Sequence, residues 1–427
     1  MAKTSSNQKA FDIAVIGGGI AGLTLAIALH RRNIPVTLYE RADNFHEIGA
    51  GVSFTPNAVQ AMKVCHPGVS EAFHKVCTWN AWESKKKTWF DFLDGTTEDG
   101  KTAFSIKTSL GQNGVHRAHF LDELIHLLPS ERVQFGKQIE QAEEDSDGKI
   151  RMTFSDGSTA HADALIGCDG IGSRVRKMIV GENHPSARPQ YSHKYAYRGL
   201  IPMDKAIEAV GEERARNACM HMGPDGHILT FQVNHGEKLN IVAFRTDPNE
   251  WDNPSKMTKT AHRQDALDDF KGYNSLVRNL LALTEETLSI VYQWAIFDTG
   301  DNPVPTFYKG RMAILGDAAH ASSPHHGAGA GFCIEDSAVM AELLADEKVQ
   351  SRSDLEAVFA AFDASRRERT QWLVQSSRFV GDAYEWRAKG VGKDIPGIER
   401  EINERIAVIS DVEIAKSCEM AREKLSL

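Results

Sequence analysis

A glycine-rich segment near the N-terminus constrains the fold more than any other part of the chain. Residues 11–41, FDIAVIGGGIAGLTLAIALHRRNIPVTLYER, contain an apolar run, a cluster of glycines, an apolar stretch with helical spacing and a second apolar run. This order predicts a strand, a tight turn, a helix and a second strand, which together form a βαβ unit. Gly17, Gly19 and Gly22 stand at the three glycine positions of the dinucleotide fingerprint. The sequence therefore predicts an α/β domain built around this unit.

An acidic residue follows at the place where such a unit binds a ribose. Glu40 ends the second predicted strand, and a carboxylate there accepts hydrogen bonds from ribose hydroxyls. The first amides of the helix and its dipole attract phosphates. We therefore expect an adenosine diphosphate group here, although this motif alone does not separate FAD from NAD. The simpler alternative is a sharp turn that binds no ligand.

Two further glycine motifs lie far along the chain. GCDGIGSRVR (167–176) places Asp169 at the end of a predicted strand, and its alternative reading is a type I turn with a solvated arginine pair. GDAAHASSPHHGAGAGFCIED (316–336) places Asp317 after an apolar strand and several glycines before a helix. A carboxylate there can bind sugar-like hydroxyls, and the glycines expose N–H groups to a planar, electron-rich ligand.

Composition excludes several classes of protein. The 427 residues carry a formal net charge of −9, which argues against a nucleic-acid partner because phosphate contacts need a basic face. Six cysteines are scattered without a Cys-x-x-Cys pair, so we expect no zinc site, no disulfide framework and a reducing compartment. No apolar run reaches the ~20 residues that span a bilayer, and the N-terminus is polar. These features favour a cytoplasmic protein without a membrane span.

The pattern between the motifs indicates an inserted domain. Residues 133–170 predict a β-meander with turns at Asp147-Gly148 and Asp156-Gly157, whereas longer strands follow from about residue 188, with a polar helical segment at 258–286. We predict an FAD-binding domain at 1–80, 115–187 and 300–380, a substrate-binding β-sheet domain at 81–114 and 188–299, and a C-terminal helical segment at 381–427.

The order of the three motifs resembles the group A flavoprotein aromatic hydroxylases, in which all three serve one FAD. HEIGAGVSFTPNAVQAM, VHRAHFLDEL, YRGL and GDAAHASSPHHGAGAGFCIEDS resemble the salicylate-hydroxylase-like branch, which includes fungal polyketide-phenol monooxygenases. The likeness covers residues 11–380. It implies an α/β fold with a Rossmann-like FAD-binding domain, three-layered and of the glutathione-reductase type, an inserted β-sheet substrate domain and C-terminal helices.

The resemblance also implies the residues that bind the cofactor. Glu40 would bind the adenosine ribose, Arg117 the pyrophosphate or ribityl region, and Asp317 a ribityl hydroxyl. The implied cofactor-binding residues are Gly17, Gly19, Gly22, Glu40, Gly51, Ser53, Arg117, Asp169, Asp317, Gly329 and Ala330.

The implied reaction uses NAD(P)H to reduce FAD, after which O2 adds at the flavin C4a position and the hydroperoxide hydroxylates a phenol. Arg198, in YAYRGL, is the candidate catalytic cation, because a positive charge beside the phenol oxygen lowers its pKa. The alternative is an arginine paired with a carboxylate inside the sheet. His325 is the second catalytic candidate, since it lies with His320 and His326 in the flavin-proximal stretch and histidine exchanges protons near neutral pH. The three histidines have no acidic or thiolate partner at helical spacing, so we expect no metal.

Three residues are candidates for contact with the substrate. Phe231 stands where relatives that dearomatise phenols carry a tyrosine, and Pro324 lies in the late glycine motif. His221 is either a substrate contact or a packed core histidine. The expected partners are a small aromatic substrate, O2 and NAD(P)H, and homodimer formation is left open. The alternatives are a flavin oxidase or dehydrogenase of the same superfamily that inserts no oxygen, and a nucleotide-binding scaffold without turnover.

Overall fold

A computed structural model describes residues 9–45, 51–253, 256–284 and 291–427 of the chain. In chain order the strands are β1 (Ile13–Ile16), β2 (Val36–Tyr39), β3 (Gly51–Val52), β4 (Cys77–Trp79), β5 (Thr88–Asp94), β6 (Thr102–Lys107), β7 (Asn113–His116), β8 (Val133–Gln134), β9 (Ile139–Glu144), β10 (Ile150–Phe154), β11 (Thr159–Ala162), β12 (Ala164–Gly167), β13 (Gln190–Pro202), β14 (Cys219–Gly223), β15 (Gly226–Val233), β16 (Lys238–Thr246), β17 (Thr258–Ala261), β18 (Val291–Asp298), β19 (Tyr308–Lys309) and β20 (Met312–Ile314).

The helices cover most of the C-terminal quarter and separate the strands elsewhere. In chain order they are α1 (Ile20–Arg31), α2 (Pro56–Cys65), α3 (Pro67–Val76), α4 (Arg117–Ile125), α5 (Arg174–Val180), α6 (Met203–Val210), α7 (Glu212–Arg216), α8 (Arg263–Asp269), α9 (Ser275–Ala282), α10 (Asp317–His320), α11 (Gly329–Ala345), α12 (Leu355–Tyr384), α13 (Ile395–Ser410) and α14 (Ile414–Glu423).

The first glycine segment forms the predicted βαβ unit at the centre of a sheet. The strand order is β19-β20-β12-β1-β2-β8, and all pairs are parallel except β19 with β20. Every side chain of β1 is buried, as expected for a parallel sheet that is covered on both faces. Gly17 has φ +103°, and a Cβ on Gly22 would lie 1.9 Å from the Gly17 carbonyl oxygen. Glycine is therefore required where α1 leaves the sheet.

Helices and a small second sheet cover the two faces of this parallel sheet. The apolar residues of α1, α2 and α11 belong to the same buried core as the sheet. The β-meander β9–β11 also joins that core, and the Tyr39 ring stacks on Phe154 at 5.0 Å between ring centroids. The predicted meander and the predicted three-layered α/β fold are therefore confirmed.

An eight-stranded sheet forms the other half of the molecule. Its order is β17-β18-β13-β16-β15-β14-β5-β6, so two strands from residues 88–107 join strands from residues 190–298. The inserted β-sheet is thus present, whereas the domain bounds themselves stay a prediction. The segment 258–286 was predicted to be helical, but it begins with β17 before α8 and α9. Its last residues, 285–286, lie outside the described residues.

The long helix α12 connects the two halves. Its N-terminal part packs in the core of the parallel sheet, and its C-terminal part packs in the core of the eight-stranded sheet. The predicted C-terminal helices are confirmed, and α13 packs against α12 while α14 packs against α11. None of the helices in the described part of the chain is long and apolar enough to cross a membrane. All six cysteines are buried and free of disulfides.

Candidate functional site

Two adjoining cavities lie between the parallel sheet and the eight-stranded sheet. The larger has a volume of about 390 Å³ and is lined mainly by the eight-stranded sheet. The smaller has a volume of about 250 Å³ and lies at the glycine motifs. The two cavities adjoin because they share part of their walls. The residues that line both cavities are Gly51, Val52, Arg117, Arg198, Asp317 and Ala330.

Two helix N-termini face the smaller cavity. Helix α1 begins after Gly19 and α11 after Ala328, and neither helix has a side chain that caps its first amides. Ile20 and Ala330, in the first turns of α1 and α11, line this cavity. Uncapped amides and the positive ends of two helix dipoles attract an anionic ligand. The cavity therefore fits the pyrophosphate and flavin portions of a dinucleotide.

Glu40 holds the first glycine loop in shape. One carboxylate oxygen accepts a hydrogen bond from the Gly18 amide at 2.6 Å, and the other accepts one from the Ala42 amide at 2.8 Å. The side chain lines neither cavity. Its contact with a ribose stays a prediction.

Asp317 extends its carboxylate into the site. It is exposed although its neighbours along the chain are buried, and it lines both cavities. The loop before it is fixed by Asp336, which accepts hydrogen bonds from the Gly316 amide at 2.9 Å and from Arg366 at 2.7 Å. Asp336 also lies 2.6 Å from His320. Burial alone would raise the pKa of Asp336, but His320 and Arg366 outweigh it and lower the pKa to about 2.

Asp169 accepts hydrogen bonds at the start of α5 and lines neither cavity. Its carboxylate accepts hydrogen bonds from the Ser173 hydroxyl at 2.5 Å and from the Arg174 amide at 2.7 Å. Burial raises the pKa of this carboxyl, and the hydrogen bonds from Ser173 and Arg174 act in the opposite direction. Both of its oxygens face the N-terminus of α5, and its contact with the cofactor stays a prediction. Cys168 and Gly170 of the same motif do line the smaller cavity.

Arg176 joins the second glycine motif to the third. Its guanidinium is fully buried and donates hydrogen bonds to the carbonyl oxygens of Ala318 at 2.9 Å and Ile171 at 2.6 Å. Burial lowers its pKa to about 10, while Asp169 and Asp317 act in the opposite direction. A solvated arginine pair is therefore the wrong reading of this motif.

The larger cavity has an aromatic and apolar wall. Phe231 and Pro324 line it, as predicted for substrate contacts. Phe90 approaches Phe231 edge-on, with ring centroids 6.5 Å apart. Such a wall suits a flat aromatic molecule. Other members of the wall are Trp89, Met220, Phe244 and Tyr384.

His221 is not part of this wall, so its predicted contact with substrate is wrong. Its neighbour Met220 lines the cavity, and side chains alternate across a strand, so His221 points to the opposite face of β14. Burial is the main cause that lowers its pKa to about 4. It is a packed core histidine, which was the alternative reading.

Arg198 lies on β13 at the junction of the two cavities. Its guanidinium carbon is 5.7 Å from the centre of the Trp294 ring. Burial and the nearby Arg117 lower its pKa to about 10, so it remains a cation near neutral pH. Within the described part of the chain no carboxylate forms an ion pair with it. The alternative prediction was an ion pair between Arg198 and a carboxylate inside the sheet, and the described residues supply no such carboxylate.

The three histidines of the third motif have different surroundings. His325 and His326 line the larger cavity, whereas His320 faces Asp336. Burial lowers the pKa of His325 well below its usual value and that of His326 to about 3. Among the described residues, no group of three histidine, cysteine or acidic side chains could hold a metal ion.

The remaining predicted residues surround the cavities. Gly51, Ser53 and Gly329 line the larger one, and Arg117 opens α4 and lines both. The Ser53 hydroxyl accepts a hydrogen bond from Gln112 at 2.7 Å. Gly17 and Gly22 shape the loop without lining a cavity. Residues 46–50 of the quoted HEIGAGVSF stretch lie outside the described residues.

Several residues of the site carried no predicted role. Asp336 stands in the quoted third motif, about two turns into α11, and an acidic side chain in that otherwise apolar helix was its signal. In the sequence, nothing distinguishes Arg176 from its neighbour Arg174. No sequence pattern predicts that Trp294 lies beside Arg198, because their contact depends on the pairing of β18 with β13.

Known proteins resemble this chain over nearly its whole length. Residues 10–377 match the family model described as FAD binding domain. The chain is similar to the FAD-dependent monooxygenase pigN of Monascus ruber, with 46% identity over 97% of this chain and 96% of that protein. It is also similar to the salicylate hydroxylase asL1 of Sarocladium schorii, with 40% identity over 90% of this chain and 84% of that protein. A solved salicylate hydroxylase substrate complex matches with a TM-score of 0.85 and 32% identity, covering 97% of this chain and 98% of that one.

Proposed function

Because the chain belongs to the FAD binding domain family, we propose that it is an FAD-dependent monooxygenase that hydroxylates a phenolic or other small aromatic molecule, using NAD(P)H and O2. The observation that carries the proposal is the wall shared by the two cavities. One cavity lies at the helix N-termini that suit a dinucleotide, and the other is lined by aromatic side chains. Residues of this wall would hold a flavin next to the aromatic cavity, where an aromatic substrate would bind.

The residues present fit FAD. The first amides of α1 and α11 and the guanidinium of Arg117 would bind the phosphates and stabilise negative charge, and Asp317 would accept a hydrogen bond from a ribityl hydroxyl. When bound, the flavin, with NAD(P)H and O2, supplies the oxygen-transfer chemistry. The protein contributes binding, orientation and a water-poor cavity.

Arg198 is the residue that we assign to the substrate oxygen. Its cationic guanidinium lies where the two cavities join. A positive charge beside a phenol lowers the pKa of that phenol, and the phenolate is the more nucleophilic ring. The apolar walls around Phe231 and Phe244 exclude water and hold the ring flat. Phe231 lacks a hydroxyl, so the phenolate is steered by Arg198 without help from this position.

Oxygen insertion tests this function directly. Purified protein is incubated with NAD(P)H, 18O2 and a panel of phenolic acids and acyl-phenols, and we measure NAD(P)H oxidation, oxygen uptake, peroxide and product mass. We expect one labelled oxygen atom in the product and little NAD(P)H oxidation without an aromatic. Peroxide without labelled product would identify an oxidase or dehydrogenase, and a colourless protein would identify a scaffold without flavin. Both results contradict the proposal.

The cellular setting is part of the same proposal. All six cysteines are free and buried, which supports a reducing compartment such as the cytoplasm.

A further inference from the structure

Tyr384 is a buried tyrosine whose hydroxyl has no hydrogen-bond partner among the described residues. It is the last residue of α12, it is 3% exposed, and it lines the larger cavity but not the smaller one. Its oxygen is not enclosed by the protein atoms around it. The hydroxyl of a buried tyrosine usually has a partner. A ligand in the larger cavity can supply the partner that the described residues do not.

Other buried tyrosines in the same half of the molecule find their partners inside the protein. The Tyr191 hydroxyl donates a hydrogen bond to the Asp247 carboxylate at 3.0 Å. The Tyr273 hydroxyl donates one to the carbonyl oxygen of Gly226 at 2.5 Å. Tyr384 differs from both because its ring forms part of a cavity wall.

A row of cross-strand neighbours leads from Arg198 toward Tyr384. Arg198 on β13 stands opposite Val242 on β16, and the row continues through β15 and β14 to β5. Its further members, in this order, are Leu229, Met220 and Phe92. Residues that stand opposite each other in a sheet share a face. The Phe92 ring centre lies 5.6 Å from that of Tyr384, so Arg198 and Tyr384 lie toward opposite ends of this row.

The strand spacing gives the scale of their separation. The Tyr384 ring centre lies 5.2 Å from that of His227 on β15 as well as near Phe92 on β5. Tyr384 therefore packs two to four strands away from β13, which is roughly 10–19 Å across the sheet at about 4.8 Å per strand. An oxygen that reaches Tyr384 is thus a different atom of the substrate from the phenol oxygen at Arg198.

The charge of the larger cavity is confined to the wall that it shares with the smaller one. Among the described residues, the charged side chains that line the larger cavity are Arg117, Arg198 and Asp317, and all three also line the smaller cavity. Burial lowers the pKa values of His325 and His326, so these two lining side chains are neutral near neutral pH. The end of the cavity away from the shared wall is therefore uncharged.

The Tyr384 hydroxyl is a neutral donor in this uncharged part of the cavity. Burial raises its pKa, so it keeps its proton near neutral pH and can donate a hydrogen bond. A carboxylate buried there would lack a cation, and an unpaired buried charge costs far more than a neutral polar group that is hydrogen-bonded. The surroundings therefore favour a neutral acceptor oxygen.

We propose that Tyr384 is a specificity-determining residue, whose hydroxyl donates a hydrogen bond to a neutral oxygen that the substrate carries away from its phenol group. The class of group is a ketone, ester or hydroxyl oxygen. This inference deepens the proposed function and rests on it in that the phenol oxygen at Arg198 fixes the other end of the molecule. A phenol without a second oxygen leaves the Tyr384 hydroxyl desolvated and unpaired, so the cavity discriminates against it.

The carbonyl band of a bound ketone reports the hydrogen bond in the wild-type protein. The probes are 4-hydroxyacetophenone, 4-(4-hydroxyphenyl)butan-2-one and 6-(4-hydroxyphenyl)hexan-2-one, each with a 13C-labelled carbonyl, added to oxidised holoenzyme without NAD(P)H. We expect the infrared carbonyl band of at least one probe to move to lower frequency than in an alkane solvent, and this shift to disappear in Tyr384→Phe. If no probe shows the shift in the wild type, the proposal is wrong, and this measurement needs no variant to fold.

Binding of matched pairs measures the strength of the same contact. Each ketone is paired with the alkyl phenol in which CH–CH3 replaces the carbonyl group, and dissociation constants are read from the change in flavin absorbance. We expect Tyr384→Phe to weaken the ketone that shows the infrared shift by about 3- to 10-fold, and to leave its alkyl partner within twofold. Equal losses for ketone and alkyl partner would reduce Tyr384 to a packing residue and overturn the proposal.

The control variant is Tyr308→Phe. Tyr308 lies half-buried on β19 and lines neither cavity, so the same loss of a hydroxyl should leave both members of each pair unchanged. A selective loss of ketone binding in this control would show that the effect does not arise in the cavity.

A carboxylate analogue tests the preference for a neutral oxygen. In 3-(4-hydroxyphenyl)propanoate a carboxylate takes the place of the ketone of 4-(4-hydroxyphenyl)butan-2-one. We expect it to bind the wild-type holoenzyme at least about tenfold more weakly than the ketone. Equal affinity would contradict the assignment of a neutral acceptor.

These readouts separate the role of Tyr384 from the proposed function, because none of them needs turnover. If no phenol gains an oxygen atom but the infrared shift and the selective loss are found, the Tyr384 contact stands and the assigned reaction fails. If labelled product forms but neither effect is found, the reaction stands and the Tyr384 contact fails.

Discussion

Arg198 and Asp317 have different expected roles in the site, one toward the substrate and the other toward the cofactor. Both line the wall shared by the two cavities, yet one carries a positive charge on the sheet side and the other a carboxylate on the glycine-loop side. A cation there suits a substrate oxygen, and a carboxylate suits the hydroxyls of a cofactor chain. Substitutions at the two positions should therefore affect different measurements.

Replacing Arg198 with alanine should slow hydroxylation by about 10²- to 10³-fold, the usual effect of losing one stabilising donor in a reaction site. Flavin content should stay unchanged, because the residue is not assigned to the cofactor. Stopped-flow product formation and the flavin spectrum of the same sample measure both quantities. Arg198→Lys serves as the control and should recover part of the rate, and wild-type turnover in Arg198→Ala would remove this residue from the site.

Replacing Asp317 with alanine should weaken FAD binding by about tenfold or more, since it removes a hydrogen bond that involves a charged group. Flavin titration of the apoprotein, followed by fluorescence quenching, gives the dissociation constant. Asp317→Glu is the charge-preserving control. Full retention of flavin by Asp317→Ala would show that the later glycine motif does not bind the ribityl chain.

At the scale of elements, α12 is the structural link between the two halves. It packs with the core of the parallel sheet at one end and with the eight-stranded sheet at the other. Arg378 on this helix contacts Asp298 at the end of β18, at 2.6 Å. The same helix carries Gly381 and ends at Tyr384. A change inside α12 should thus alter the site as well as the stability.

Gly381→Ala should destabilise the protein although alanine favours helices. The new Cβ would lie 2.5 Å from the His325 ring, and overpacking of this kind typically costs about 1–3 kcal/mol. Thermal unfolding of the holoenzyme measures the loss. Ser365→Ala, in the same helix and half-buried, is the control and should change the stability little. A higher melting temperature in Gly381→Ala would show that His325 can move away without cost.

At the scale of the whole molecule, buried ionisable groups connect stability with pH. The folded-state pKa of His221 is about 4 and that of His326 about 3, both lowered chiefly by burial. The pKa of a histidine in the unfolded chain is near 6.5. When the pH falls below that value, both histidines bind protons in the unfolded chain but stay neutral in the folded protein. The carboxyls of Asp336 and Glu385, with folded pKa values of about 2, are ionised in the folded protein until the pH is very low.

The free energy of unfolding should therefore fall as the pH drops below about 6.5. Each buried histidine contributes up to about 1.4 kcal/mol per pH unit between its unfolded and folded pKa. A second loss should begin below about pH 4, where the carboxyls of the unfolded chain become protonated, and should continue toward pH 2. Urea unfolding at a series of pH values measures the profile. His221→Gln should reduce the slope between pH 6 and 4, and an unchanged slope would show that His221 titrates normally.

The sequence by itself determined the fold and predicted where the cofactor would bind. Gly17 and Gly22 permit the close strand-to-helix turn, and the apolar runs around them repeat with strand and helix periods, so local physics favours the βαβ unit. The resemblance over three separated motifs then placed Asp317, Arg117 and Arg198 around one site, and the structure brings all three to the same wall.

Only the tertiary structure decided which polar groups meet. Asp169 turned inward to a helix start and His221 to the far face of its strand, because strand register and helix capping choose a side-chain direction that residue type does not reveal. Arg198 and Tyr384 lie in distant parts of the sequence, and no spacing predicts that both line one cavity. They do so because α12 crosses from one sheet to the other and ends against β5 and β15, and packing between distant segments is not encoded in any local pattern.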